Sequence, residues 1–338
     1  MIENLIKNDE TLKKWRRFKS RRLAVFSAWI MGIFCFLSFT AEFWANSRPI
    51  MMKYNDEIYF PIFADYHPSE LGIKSSLVIN WKKLELEDED YAIWPLINWN
   101  PYESNKEVAY YPSAPSGLNW MGTDDRGRDI LTRLLYGLRY SITYSILVWL
   151  LTFMTGTVLG GLMGYFGGRI DFWGQRVVEV LSTVPQFFLL IIIISIFKPS
   201  LVLLVLLSSI FGWISISYYV RGEYLKNRKK EFVEAARALG AGHGRIFFKH
   251  LLPNSLSPII TFSPFVIAGN ITALASLDYL GFGLTPPTPS WGELLNQAQK
   301  HFTEGWWLAV YPSLALFLTL TMLSLIGEGV RDAMDPKD

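Results

Sequence analysis

Glu231–Asn254 reads EFVEAARALGAGHGRIFFKHLLPN, and on either side of it lie apolar runs long enough to cross a bilayer. From Glu231 to Leu239 the residue types favour helix, with Phe232, Ala235, Ala236 and Leu239 on one stripe. Glu234 and Arg237 stand three apart and can pair on that helix. Gly240 falls where a helix ends in a left-handed residue. Ala241–Gly244 make a tight turn, and RIFFKHLL starts a second helix before Pro253. The small side chains Ala235 and Ala236, with Gly240, leave a shallow surface into which a partner can press. A DNA-binding helix–turn–helix has a similar layout. Spans at both ends would hold this one flat against a bilayer, so no nucleic-acid partner is expected.

The flanks follow from composition. The chain has 338 residues, 51% of them hydrophobic and 15% aromatic, with a formal net charge of +2, which is too apolar for a single soluble core. A hydrocarbon core of roughly 30 Å needs about 20 apolar residues in helix. Six runs qualify: Leu23–Ala41, Tyr140–Phe166, Val180–Phe197, Leu201–Val220, Leu256–Leu277 and Trp306–Gly327. Pro185, Pro264 and Pro312 interrupt three of them, each removing a helix hydrogen bond. Gly156, Gly160, Gly161 and Gly164 read as close-packing points. The single cysteine, Cys35, lies inside a run and reads as a small hydrophobe.

Orientation follows from the basic residues. Residues 1–22 hold eight Lys/Arg, starting at Lys7, and 221–254 hold eight more. The connections 198–200 and 278–305 hold one each, Lys198 and Lys300. Six spans with the N-terminus in the cytoplasm put both basic segments, and the C-terminus, inside. The first run exceeds the apolar core of a cleaved leader and lacks an A-x-A site, so a retained signal anchor is expected.

Residues 42–120 are too long for a plain loop. They hold 15 aromatics, including Trp44, Trp81, Trp94, Trp99 and Trp120, and 12 acids against six bases. Five of those acids sit in LELEDED, Leu84–Asp90, a run that reads as a solvated face. So aromatic a segment is expected to fold as a cap on the bundle. Two roles fit it, a docking surface for a soluble partner and a cover over the helix ends. In TDDRGRDILTRLL, Ile130, Leu131, Leu134, Leu135 and Leu138 share a face, as on an interfacial helix. Asp124, Asp125, Arg126, Arg128 and Asp129 cluster at its start, either to bind a partner or to solvate an elbow.

Three blocks together carry a family resemblance. Glu234-Ala235-Ala236, Gly240 and Leu251-Leu252-Pro253 resemble the EAA signature of ABC-importer permeases, with His250 where isoleucine is frequent. MGTDDRGRDILTRLLYGLR, Met121–Arg139, and YLGFGLTPPTPSWGELL, Tyr279–Leu295, resemble blocks of the C-type permeases of oligopeptide, dipeptide and nickel importers. The ending IGEGVRDAMDPK is similar to the family's, with Glu328 where Asp is more usual. The long segment 42–120 looks most like the microcin C and oligopeptide permease branch. Where many relatives have a glutamate before LGLG, this chain has Leu274, with Asp278 further on.

The resemblance implies an all-α integral membrane protein: a type I importer permease core over 121–338, with coupling loop 221–254, behind a first span at 23–41 and an extracytoplasmic insertion. It implies a multi-pass protein of the bacterial inner membrane that moves oligopeptides or peptide-like solutes. The implied partners are a B-type permease, two cytoplasmic ATPases, a periplasmic substrate-binding protein and membrane lipid. The chain itself has no G-x-x-x-x-G-K-[ST] loop, no H-E-x-x-H and no cysteine cluster. It is therefore expected to be no enzyme and to bind no cofactor, with ATP and magnesium on the ATPases. Its histidines (His67, His243, His250 and His301) are scattered and cannot share one metal.

Within that frame Glu231, Glu234, Ala235, Ala236, Arg237, Gly240 and Arg245 are implied to meet the ATPase. Gln186 and Asn270, amides at membrane depth, fit either the solute pathway or interhelical hydrogen bonds. The rival class is a self-sufficient channel or ion-coupled carrier, which would carry ionisable residues deep in its spans. An intramembrane enzyme would need a nucleophile–base set that is not visible.

Overall fold

The computed structural model describes residues 9–72, 78–84, 86–87 and 90–334. Lys7 of the basic leader, Glu85, Asp88 and Glu89 of the acidic run, and Asp335, Pro336 and Lys337 of the closing block lie outside them. In chain order the helices are α1 (Asp9–Ser20), α2 (Arg22–Phe39), α3 (Ala41–Trp44), α4 (Ile130–Phe166), α5 (Gly168–Ser182), α6 (Gln186–Ile196) and α7 (Leu201–Asn227). They continue with α8 (Glu231–Ala238), α9 (His243–Arg245), α10 (Leu252–Ser255), α11 (Ser257–Tyr279), α12 (Trp291–Lys300) and α13 (Trp306–Met334).

Five of these helices, α2, α4, α7, α11 and α13, are long and apolar enough to cross a membrane. The remaining expected span, Val180–Phe197, is not one straight helix. It is the end of α5 and all of α6, a pair bent by 69° at Thr183–Pro185. Proline supplies no N–H and clashes with the preceding turn, so the chain turns there. Pro264 and Pro312, expected to interrupt their spans, instead sit inside continuous helices. Packed neighbours and local adjustment let a membrane helix carry a proline.

α4 is much longer than the apolar run inside it. At 1.5 Å per residue it extends about 55 Å, well beyond the hydrocarbon. The leucine-rich face expected to form a separate interfacial helix is its first turns, capped where the Asp129 carboxylate accepts from Thr132 N at 2.8 Å. Its other half lies against α7 along a glycine stripe. A Cβ on Gly156 would meet Ile216 Cβ at 2.7 Å, one on Gly160 the backbone of Ser217, and one on Gly164 the Arg221 carbonyl at 2.6 Å. Glycine every fourth residue thus brings the two backbones together, the small-residue packing that membranes favour.

The insertion after α2 folds, as its aromatics require, and adds β structure to an otherwise helical chain. β1 (Met51–Tyr54) pairs antiparallel with β2 (Glu57–Tyr59) and β3 (Tyr91–Ile93) in the order β2-β1-β3. Met52, Tyr59, Leu71, Ile79 and Trp81 form its small core. Trp44 and Trp120 stay exposed.

Candidate functional site

At its C-terminal end α7 carries Arg221, Glu223 and Lys226 beyond its apolar stretch before the chain turns into α8. α8 ends in a Schellman arrangement. Gly240, at φ +81°, donates its N–H to the Arg237 carbonyl at 2.9 Å, and Ala241 N–H reaches the Ala236 carbonyl at 3.0 Å. The left-handed residue at Gly240 is therefore the stop that its position in the sequence implies. Beyond it, α9, wider π-type turns over Ile246–Leu251 and α10 make one continuous helical run. The second helix thus does not stop before Pro253 but passes through it to Ser255.

α8 divides its residues differently from the expected stripe. Val233 and Ala236 are buried, against a core of Tyr224, Ile246, Phe247 and Leu251. Phe232, Glu234, Ala235, Arg237 and Gly240 are exposed, and Leu239 is 89% exposed. Ala236 is thus a packing residue, while Ala235 and Gly240 remain on the open face. Glu231 and Arg245 are exposed at either end of the segment. Among the described residues no ion pair joins Glu234 to Arg237. An exposed pair gains a fraction of a kcal/mol and must restrain two flexible side chains.

The back of this segment is tied to the bundle. The Tyr165 hydroxyl, near the end of α4, and His243 Nδ1 are hydrogen-bonded across 2.7 Å. Arg228 donates to the Gly164 and Tyr165 carbonyls, both at 3.1 Å. Tyr224 donates to the Phe247 carbonyl at 3.2 Å, and Phe247 packs against Gly161 so closely that a Cβ there would lie 2.6 Å from the ring. Arg221 holds Asp171 of α5 with bonds of 2.5 and 2.7 Å. A push on the exposed face of α8 therefore reaches the ends of α4, α5 and α7 through bonded contacts. Tyr165, His243, Arg228 and Asp171 escaped the sequence reading because their partners are 50 to 78 positions away. The only local hint was a histidine set between glycines in AGHGR.

The two amides lie apart from this segment, on α6 and α11. Gln186 donates to the Ser208 carbonyl of α7 at 3.4 Å, and Asn270 to the Ser145 carbonyl of α4 at 3.2 Å. Each is half-buried and ties its helix to a neighbour.

At the start of α4 most of the acidic–basic cluster is buried within this chain, while Arg126 stays exposed. Asp124, Arg128, Asp129 and Arg133 are at most 2% exposed. Arg128 reaches Asp124 at 2.7 Å and Glu293 of α12 at 3.1 Å, and Arg133 contacts Glu293 and Asp124 as well. Burial opposes the charge on Arg128, but the adjoining Asp124 and Glu293 carboxylates outweigh it and hold its pKa above the ordinary value. Burial also pushes the Asp125 carboxyl up, and Asp124 adds to the push. The network clamps α12, in the connection before α13, onto the head of α4. Asp278 completes it, accepting from Leu284 N at 2.6 Å and from the Ser290 hydroxyl at 2.5 Å.

Known proteins resemble this chain. Residues 156–337 match the family described as binding-protein-dependent transport system inner membrane component, and 13–69 match the N-terminal TM domain of oligopeptide transport permease C. The chain is 38% identical to the inner membrane ABC transporter permease protein YejE of Escherichia coli K12, over 96% of each chain. It is 35% identical to the peptidoglycan transport system permease protein YejE of Agrobacterium fabrum, over 97% of this chain and 93% of that one. A glutathione transport system permease protein, GsiD of Pectobacterium atrosepticum, is 32% identical, over 96% and 90%. Among solved structures, an inward-facing MetNI methionine ABC transporter chain has the same fold. The TM-score is 0.50 at 15% identity, covering 60% of this chain and 96% of that one.

Proposed function

This chain belongs to the family of binding-protein-dependent transport system inner membrane components, and from that membership we propose how it couples solute import to ATP hydrolysis. It is a multi-pass inner-membrane permease subunit of an ABC importer. Its cargo in this proposal is an oligopeptide or peptide-like solute, supported by the peptidoglycan and glutathione permeases among its relatives. Partner chains complete the assembly: a B-type permease, two ATPases that bind ATP and magnesium, and a periplasmic binding protein. Both termini of this chain face the cytoplasm, in keeping with the basic residues of 1–22 and 221–254.

In this reading α8 lies in a groove of one ATPase. Phe232, Ala235 and Leu239 supply apolar contact, Glu231, Glu234, Arg237 and Arg245 fix orientation, and Gly240 allows close approach. Closure of the ATPase pair then moves α8, and the rigid ties behind it carry that movement to α4, α5 and α7. Gln186 and Asn270 border the solute path on helices that shift with α4 and α7. The observation that carries the proposal is a helix open on one face, whose other face packs on a core tied to the ends of α4 and α7.

A tagged chain purified from native membranes is expected to bring one related permease and two ATPase copies. A cysteine replacing Ala235 is expected to crosslink to an ATPase in that preparation. A chain that purifies alone and moves solute without ATP would overturn the proposal in favour of a self-sufficient carrier. Recovery of the complete assembly without any crosslink from Ala235 would reject the docking face alone.

A further inference from the structure

The open side of α2 does not stop where the helix does. Phe26, Trp29, Ile33, Phe36 and Phe39 recur every three or four residues and are exposed. Ala24, Ser27, Met31 and Ser38 are buried on the opposite side, where α2 packs on α13 and α4. A Cβ on Gly32, the glycine among the exposed residues, would meet nothing within 4 Å, so no other helix of this chain approaches here. One residue, Thr40, separates α2 from α3, and Phe43 and Trp44 of α3 are exposed as well.

Phe63 of the insertion extends the same surface. Its ring meets that of Phe43 edge-on with centroids 5.6 Å apart, and Phe43 lies four residues past the end of α2. Phe63 is 71% exposed, and Phe60 is exposed beside it. The turn that carries them is braced from behind. Phe63 N and Ala64 N both donate to the Phe60 carbonyl, at 3.0 and 3.2 Å. Phe60 N donates to the Tyr66 hydroxyl at 3.1 Å. Arg48 donates to the Pro61 carbonyl at 3.3 Å and pairs with Asp65 at 2.5 Å. A turn fixed in this way holds the Phe63 ring away from the small core of the insertion.

We propose that the turn Phe60–Ala64 dips into the leaflet in which α2 ends, with Phe60 and Phe63 among its headgroups and upper acyl chains beside Phe43 and Trp44. The partner is lipid for three reasons. The surface is continuous with the apolar face of a span. Membranes collect aromatic rings at headgroup level. Helix contacts within a bilayer favour small residues, as on the glycine seam between α4 and α7, whereas phenylalanine and tryptophan dominate this face. Charge does not oppose entry, since Phe60–Ala64 holds no charged residue and Asp65 after it is paired with Arg48. The turn thus ties the insertion to the bilayer at a second point besides its covalent link to α2. The inference requires only that α2 spans the membrane, and it is independent of the cargo and the ATPase contacts proposed above.

The test replaces Phe63 by benzoylphenylalanine, a photocrosslinker of similar shape, in the full-length chain in native membranes. Irradiation is followed by mass spectrometry of the adduct. A phospholipid adduct is expected, in a yield close to that from the same replacement at Phe36 in the middle of α2. Lys83, exposed elsewhere on the insertion, is expected to give none. With the crosslinker moved to Ala64, in the same turn, lipid is again expected, and Phe63→Asp in that chain should reduce the yield to the Lys83 level. An unchanged melting temperature for Phe63→Asp excludes misfolding as the cause. An adduct to another protein or to a second copy of this chain would overturn the proposal. So would the absence of a lipid adduct at Phe63 while Phe36 gives one, or a yield at Ala64 that survives Phe63→Asp.

Discussion

Gly240 offers the sharpest test of how α8 works, because the chain itself leaves room there. A Cβ at Gly240 would meet no atom within 4 Å, so any cost inside this chain comes from backbone conformation alone. Holding an L-residue left-handed, at φ +81°, costs roughly 1–2 kcal/mol for alanine and less for asparagine, which visits that region readily. Against a folding free energy of roughly 5–15 kcal/mol, none of these substitutions should prevent insertion or folding. A partner surface pressed onto Gly240 changes the ledger. An added side chain in a tight contact costs about 1–3 kcal/mol, a loss of about 5- to 150-fold in docking strength. The expected series is therefore Gly240→Asn and Gly240→Ala both lowering uptake, and Gly240→Asp, with its charge, abolishing it. All three should insert at wild-type levels. Uptake and ATP hydrolysis measured together in vesicles holding the full assembly should show ATP turnover no longer answered by transport. Wild-type uptake by Gly240→Asn would refute the reasoning, since the position would then need only its backbone angle and no partner would touch it.

Three further outcomes are expected. Tyr165→Phe removes the 2.7 Å bond to His243 but keeps the ring; His243 is exposed and can take water instead. Stability should then fall by no more than about 1.5 kcal/mol while uptake per ATP drops several-fold, and unchanged coupling would remove this tie from the relay. Gly160→Val would drive a side chain into the Ser217 backbone and should lower the melting temperature markedly. Gly222→Ala, on the same helix pair but facing open space, should leave it level or higher, so equal losses at both would contradict the glycine-stripe packing. Asp125 has a pKa raised in the fold by burial and by Asp124, so its protonated form suits the fold and ionisation works against it. That stability is present below the ordinary carboxylate pKa and is lost as pH rises through the raised value. Asp125→Asn should thus melt higher than wild type at neutral pH, with the difference closing in acid, and a difference independent of pH would reject the assignment.

Several features were legible because their causes are local. The αL stop at Gly240 needs only a helix-favouring run followed by glycine, and the Schellman bonds close within six residues. The glycines of α4 announced close packing, although not that α7 would be the partner. The face of α8 was harder. Ala235 and Ala236 are alike in sequence, yet Ala236 turns inward because Val233 beside it anchors in the core around Tyr224 and Phe247. The charges of 124–129 fitted either a partner contact or a solvated elbow because nothing local points to Glu293, more than 160 positions away, which joins Arg128 in a buried network. Pro185, Pro264 and Pro312 looked alike as well. Only the first falls at a break between helices, because a proline's effect depends on whether neighbouring helices support the turn around it.

By itself the sequence determined that this protein lives in a membrane and roughly where it crosses. Lipid supplies no hydrogen-bond partner, so a spanning segment must satisfy its backbone within itself, and its length and apolarity are written locally. Tertiary structure alone decided what each polar group is for. It joined His243 to Tyr165, Arg221 to Asp171, and Arg128 and Arg133 to Glu293, and it folded α1 back on α13 around Arg21. Those contacts link residues distant along the chain, and each exists only because packed helices bring its two ends within hydrogen-bonding reach.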